Sequence, residues 1–122
     1  MILPAGAADA ELLEVVRITD PMGWFGWTDT VPGETVALWT DAQSVLAQVA
    51  ALPSGTLMRC FSPRFALRAH AGTAVLFELA FCFSCERVGL YSTGGRSATQ
   101  TFDPASPPAV ELLRRFRESP TA

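Results

Sequence analysis

Three cysteines, Cys60, Cys82 and Cys85, are the only thiols in the chain, and the last two form one Cys82-Phe83-Ser84-Cys85 motif. Two thiols at this spacing can cycle as a redox dithiol, supply half of a tetrahedral zinc site, or lie buried as small hydrophobes. Redox use favours a first cysteine at a helix N-terminus, where the dipole stabilises the thiolate. Here the residues that follow, Glu86-Arg87-Val88-Gly89-Leu90-Tyr91, read as a turn and a strand. Zinc suits a strand-turn-strand bend, with Cys60 across an adjacent strand from Cys82. Its fourth ligand would have to be His70, the only histidine, which the pattern places near a hairpin tip a strand's length away. No cofactor is expected; zinc is the one these residues could hold, with Cys60, Cys82, Cys85 and His70 as candidate ligands, but buried thiols or an optional disulfide are the favoured reading.

Beyond the thiols, no catalytic set assembles. A single histidine among many serines and acids defines no nucleophilic triad, and Gly94-Gly95-Arg96 lacks the spacing and following helix of a phosphate loop. Glu78 interrupts an apolar strand, which calls for an ion pair with Arg59, Arg68 or Arg87, or else a buried acid or a recognition contact. Arg64 follows Pro63, where a planar guanidinium can clamp the fold or meet an anion or a protein. Trp24, Phe25 and Trp27 crowd three rings into four residues beside glycine. They can close a satellite core, anchor a partner or mediate self-association, because aromatics carry large burial area at low entropy cost.

The elements that must position these groups belong to a chain of 122 residues, 49% hydrophobic and 17% charged, a length and composition suited to one globular domain. The longest apolar run, residues 73–83, contains Glu78 and is about half the length of a membrane span. No basic leader precedes the acidic residues Asp9 and Glu11, so the expectation is a cytoplasmic protein that does not engage membrane. Charge is divided unevenly: residues 1–58 carry seven acidic side chains against Arg17 alone, and residues 59–122 carry eight arginines against five acidic side chains. That polarity can orient a partner or a second copy. Nucleic-acid binding is not expected, since the arginines alternate with acids and no recognition motif accompanies them.

Periodicity predicts a short amphipathic helix over residues 9–16, with Asp9 at its start and Leu12, Leu13 and Val16 as its stripe. A strand over 35–39 leads into a helix over 41–52, for which Thr40 and Gln43 have capping-box spacing. The second half reads as a meander with strands over 56–61, 65–70, 74–83, 87–92 and 98–102. Ser106-Pro107 then opens a helix to about residue 118, whose Arg114, Arg115 and Arg117 face water or a partner. The expected fold is a single α+β domain, with an antiparallel sheet of about four or five strands packed with two or three helices.

Cys60-Phe61-Ser62-Pro63-Arg64-Phe65, the hairpin turn at Gly72 and Phe81-Cys82-Phe83-Ser84-Cys85 together resemble a family of small bacterial proteins of uncharacterised function. Its pattern is Cys-aromatic-x-Pro-Arg-His, a hairpin, and an apolar strand ending in Cys-Phe-Glu-Cys; the likeness covers residues 56–90. Phe65 stands in place of its histidine and Ser84 in place of its glutamate. The resemblance implies an architecture and a residue cluster, with any chemistry of that histidine and glutamate lost here. The functional expectation is a noncatalytic protein-binding or accessory protein, immunity-like in one form, whose contacts are Trp24, Phe25, Trp27, Arg64, Arg114 and Arg117 and whose occupant is a protein partner or a second copy. A thiol-dependent enzyme or structural zinc protein is the alternative.

Overall fold

The computed structural model describes residues 1–26, 30–92 and 95–119, with backbone only for 24–26 and 95–97. Within them, β1 (Leu12–Ile18) pairs with β2 (Gly33–Trp39) on one side and with β3 (Phe65–Ala71) on the other. Strands β4 (Ala74–Cys82), β5 (Arg87–Ser92) and β6 (Gly95–Thr101) continue as a meander, so the antiparallel sheet runs β2-β1-β3-β4-β5-β6. Helix α1 (Ala42–Ala50) joins β2 towards β3, and α2 (Pro107–Glu118) follows β6. Among the described residues the fold is α+β with six strands and two α-helices, one strand more than the expected upper count. Among the described residues no helix is long and apolar enough to cross a membrane.

Both helices cover one face of the sheet. Leu13, Val15, Leu67, Ala69, Phe77, Leu79 and Phe81 meet Val45, Leu46 and Val49 of α1 and Ala109, Leu112 and Phe116 of α2 there. Phe116 is the hub: its ring stacks on Phe65 at 4.9 Å and Trp39 at 5.4 Å, and meets Phe81 at 5.7 Å. Among the described residues no α-helix packs on the other face. Val16, Ile18, Ala66, Ala80, Cys82 and Tyr91 form a second buried cluster, closed by Val31, Phe61 and Cys85 from loops and turns.

This second cluster explains the main departure from the sequence reading. Residues 12–18 form a strand where a helix was expected over 9–16, and of that expected helix Asp9 alone is helical, as the end of the 3-10 turn Ala7–Asp9. A strand buried on both faces places Leu13 and Val15 on one side and Val16 and Ile18 on the other, so the period-two signal disappears and Leu12, Leu13 and Val16 mimic a helical stripe. Their β-branched neighbours suit the pleat better than a helix.

Conversely, residues 56–61 join no strand; they belong to an extended strap, 53–64, between α1 and β3. The capping box is also absent. Asp41 precedes α1, and the Gln43 amide donates to the carbonyls of Ala7 and Ala10 at 2.9 and 2.8 Å, tying the helix to the 3-10 turn. The β3–β4 turn is Gly72-Thr73, with Gly72 at φ 57°, as a two-residue hairpin demands of its first position. A bulge then places Val75 opposite His70 and Phe77 opposite Ala69, leaving Val75 half exposed while Phe77, Leu79 and Phe81 keep the helix face.

The packing predicts that Phe116→Ala costs about 3–5 kcal/mol in urea denaturation. Val110→Ala, on the outer side of the same helix, stays within about 0.5 kcal/mol of the parent.

Candidate functional site

The strap has no ladder partners along most of its length, so its polar backbone groups must be satisfied individually. The Gly55 N–H donates to Thr101 Oγ1 at 3.3 Å and the Thr56 N–H to Glu86 Oε1 at 3.1 Å. Gly55 lies so close to the backbone of Phe102 that a Cβ there would run into the Phe102 carbonyl. Arg87 reaches the carbonyls of Met58 and Cys60, each at 3.4 Å, with its guanidinium 5.4 Å from the Phe61 ring centre. Phe61 itself is buried in the second cluster. Where the strap reaches β3, the Arg64 N–H donates to Phe81 O, and the Arg64 carbonyl accepts from the Ile18 N–H.

These contacts bring the three cysteines together. Cys60 Sγ on the strap stands 2.8 Å from Cys85 Sγ in the β4–β5 turn, and Cys82 Sγ lies 3.5 Å from Ser84 Oγ. All three are free thiols; Cys60 is exposed, whereas Cys82 and Cys85 are buried. Burial, with a hydrogen bond to Cys85, pushes the Cys82 thiol pKa above its usual range, so the group stays protonated at neutral pH. His70 takes no part. It lies towards the hairpin end of β3, with Nε2 2.8 Å from Glu14. Among the described residues no group of three or more His, Cys, Asp or Glu side chains is placed to hold a metal ion.

Beside the thiols opens a cleft of about 160 Å³, lined by Ser62, Arg64, Phe65, Phe83, Ser84, Leu113 and Arg117. Its floor is firm, because Phe65 stacks on Phe116 and Phe83 meets Phe102 edge-on at 5.2 Å. Arg64 from the strap and Arg117 from α2 are both exposed, and among the described residues neither makes an ion pair. The other arginines of α2 are engaged. Arg114 is paired with Glu111 and Glu118 on its own helix, and Arg115 grips Asp41 through two bonds of 2.8 Å while lying over the Trp39 ring at 4.1 Å. Of the contact residues expected from sequence, Arg64 and Arg117 therefore meet at one cleft and Arg114 stands at its side, also lining a shallow groove with Val110 and Leu113. The side chains of Trp24 and Phe25, and the whole of Trp27, lie outside the described residues.

Glu78, the other residue singled out, is only 4% exposed and saturated with donors on the loop-covered face. Arg68 Nε lies 2.5 Å from it, Thr30 Oγ1 donates at 2.7 Å and the Val31 N–H at 3.0 Å. Arg68 also bonds Glu14 at 3.0 Å and the Val31 carbonyl at 2.9 Å, closing a network that pins the loop before β2 onto β3 and β4. Of the three arginines weighed as its partner, Arg68 holds the place. This is a structural clamp in which both carboxylate oxygens accept. Burial raises the Glu14 pKa, but hydrogen bonds from Thr35, His70 and Arg68 and the Arg68 charge outweigh it, so the carboxyl is held below its usual range.

Sequence reasoning passed over the cleft's floor. Phe83 continues the alternation of β4 and reads as core, but it stands one residue beyond the last strand position, where the sheet no longer covers it. That position, together with the Pro63-Arg64 bend preceding β3, was the available signal. Neither a family model, nor a curated protein, nor a solved structure matches the chain.

Glu78→Ala leaves Arg68 with Glu14 as its carboxylate partner and the Thr30 hydroxyl and Val31 N–H without their acceptor, and is expected to lose about 1–3 kcal/mol in chemical denaturation. Because the Glu14 pKa is lowered by folding, its stabilisation is complete above the ordinary value of 4.5 and fades as pH falls through the folded value. Melting temperatures of the parent and Glu14→Gln should therefore differ at pH 7 and converge towards pH 3.

Proposed function

We propose that this domain is a noncatalytic protein-binding or accessory module that docks an acidic segment of a partner protein, bearing an aromatic or aliphatic side chain beside its carboxylate, in the cleft between the strap and α2. The observation that carries this reading is the pair of uncompensated guanidiniums, Arg64 and Arg117, supplied by different elements over an apolar floor of Phe65, Phe83 and Leu113. A carboxylate supplies the charge the fold withholds from them, and guanidinium forks suit carboxylates in two-bond geometry. The apolar floor supplies burial, and Ser62 and Ser84 offer hydroxyls at the rim. The surplus of arginine in the second half of the chain favours approach of an acidic partner.

The alternative, a thiol-dependent enzyme, rests on the approach of Cys60 to Cys85. An activated thiol needs a base or a stabilising cation. Among the described residues, the Ser84 hydroxyl comes within 4.0 Å of the Cys85 sulfur, and the nearby Arg87 guanidinium is bonded to the Cys60 carbonyl rather than to its sulfur. Binding is therefore the better-supported function.

Fluorescence polarisation against short peptides alternating Asp or Glu with Phe or Leu, beside counterparts carrying Asn and Gln, tests the proposal. Acidic peptides should bind and the amide counterparts should not. Arg64→Ser and Arg117→Ser should each weaken binding by about tenfold, in line with the loss of one charge-assisted hydrogen bond. Added salt should weaken it further. Equal binding of acidic and amide peptides, or an affinity unchanged in the double variant, would overturn the assignment.

A further inference from the structure

We propose that Cys60 and Cys85 form a thiol–disulfide exchange site for low-molecular-weight disulfides, in which exposed Cys60 reacts first and buried Cys85 resolves the adduct. Two observations carry it. The sulfurs belong to separate segments, the strap and the β4–β5 turn, yet lie 2.8 Å apart, closer than ordinary nonbonded sulfur contact. Their accessibility is also asymmetric, with Cys60 exposed and Cys85 only 2% exposed. An external disulfide can reach the first sulfur, and the second waits within reach of the adduct.

The exchange balances without a metal. Cys60 loses its proton to water and its thiolate attacks one sulfur of R–S–S–R, forming Cys60–S–S–R and releasing R–S⁻, which takes up a proton. Cys85 then loses its proton and attacks the Cys60 sulfur, forming the Cys60–Cys85 bond and releasing a second thiol. Two protein thiols are oxidised and one small disulfide is reduced to two thiols. Cys82 stays outside the reaction, because the Cys60 sulfur lies against Cys85 and the Cys82 thiol bonds the Ser84 hydroxyl and is held in the thiol form. The cross-link joins the strap that carries Ser62 and Arg64 to the turn that carries Phe83 and Ser84, but the exchange does not depend on what the cleft binds.

The test treats the reduced full chain with glutathione disulfide, quenches with acid, alkylates, and reads the product by intact and peptide mass spectrometry. The expected wild-type product is lighter by about 2 Da, the mass of the two hydrogens lost, before alkylation and takes one alkyl group. Tandem fragmentation should locate that group on Cys82, since Cys82 and Cys85 share one tryptic peptide. Cys82→Ser should oxidise at the parent rate, Cys85→Ser should accumulate a mixed disulfide on Cys60, and Cys60→Ser should react at least about tenfold more slowly. In denaturant the preference for Cys85 over Cys82 should vanish. A folded wild-type protein that keeps three alkylatable thiols, holds a persistent Cys60 adduct, or joins Cys60 to Cys82 would overturn the proposal, and these outcomes are read on the parent chain without any variant.

Discussion

Everything in this fold follows from a sheet whose central strands bury both faces while the two α-helices among the described residues are both committed to one face. The opposite face of β1, β3 and β4 must then be closed by irregular chain, and irregular chain brings unpaired backbone donors and acceptors with it. Two arginines solve that problem at two places. Arg68, held by Glu78 and Glu14, donates to the Val31 carbonyl and so fixes the loop before β2. Arg87, lying against Phe61, donates to the carbonyls of Met58 and Cys60 and so fixes the strap. The charged residues within the sheet are therefore the means by which loops replace a second helical layer. That is also why a glutamate is tolerated at 4% exposure in the middle of an apolar strand.

The strap is where structural and functional demands meet. Pinned by Gly55 against Phe102 and by Phe61 beneath the second cluster, it delivers Cys60 to Cys85 and Arg64 to the rim of a cleft whose other wall is α2. Arg115 holds α2 against the start of α1, and Phe116 nails it to the sheet, so Arg117 projects from a rigid helix rather than a loose terminus. The two cationic walls are thus preorganised by interactions that leave their own charges uncompensated.

Much of this was legible in the sequence where a segment faces only one environment. The helix at Pro107–Glu118, the hairpin of β3 and β4, and the strand Arg87–Ser92 follow from apolar periodicity and turn chemistry alone. Legibility failed where an element meets two environments. In β1 both faces are buried, so its pattern carries no alternation, and in the strap the backbone is satisfied by side chains from β5, β6 and the turn between β4 and β5, which no local pattern encodes. The cleft was half visible for the same reason. Arg64 and Arg117 stand out as residue types, but only the fold separates Arg117 from Arg114, whose charge is spent on Glu111 and Glu118.

The proposed working surface is the cleft between the strap and α2. The most direct measurement is a backbone amide NMR titration of the folded chain with an acidic, phenylalanine-bearing peptide. The account predicts concentration-dependent shifts confined to residues 62–65, 83–85 and 113–117, with β2 and the β3–β4 hairpin unmoved. Shifts centred instead on the edge of β2 or around exposed Val75, with residues 62–65 and 113–117 silent, would contradict it.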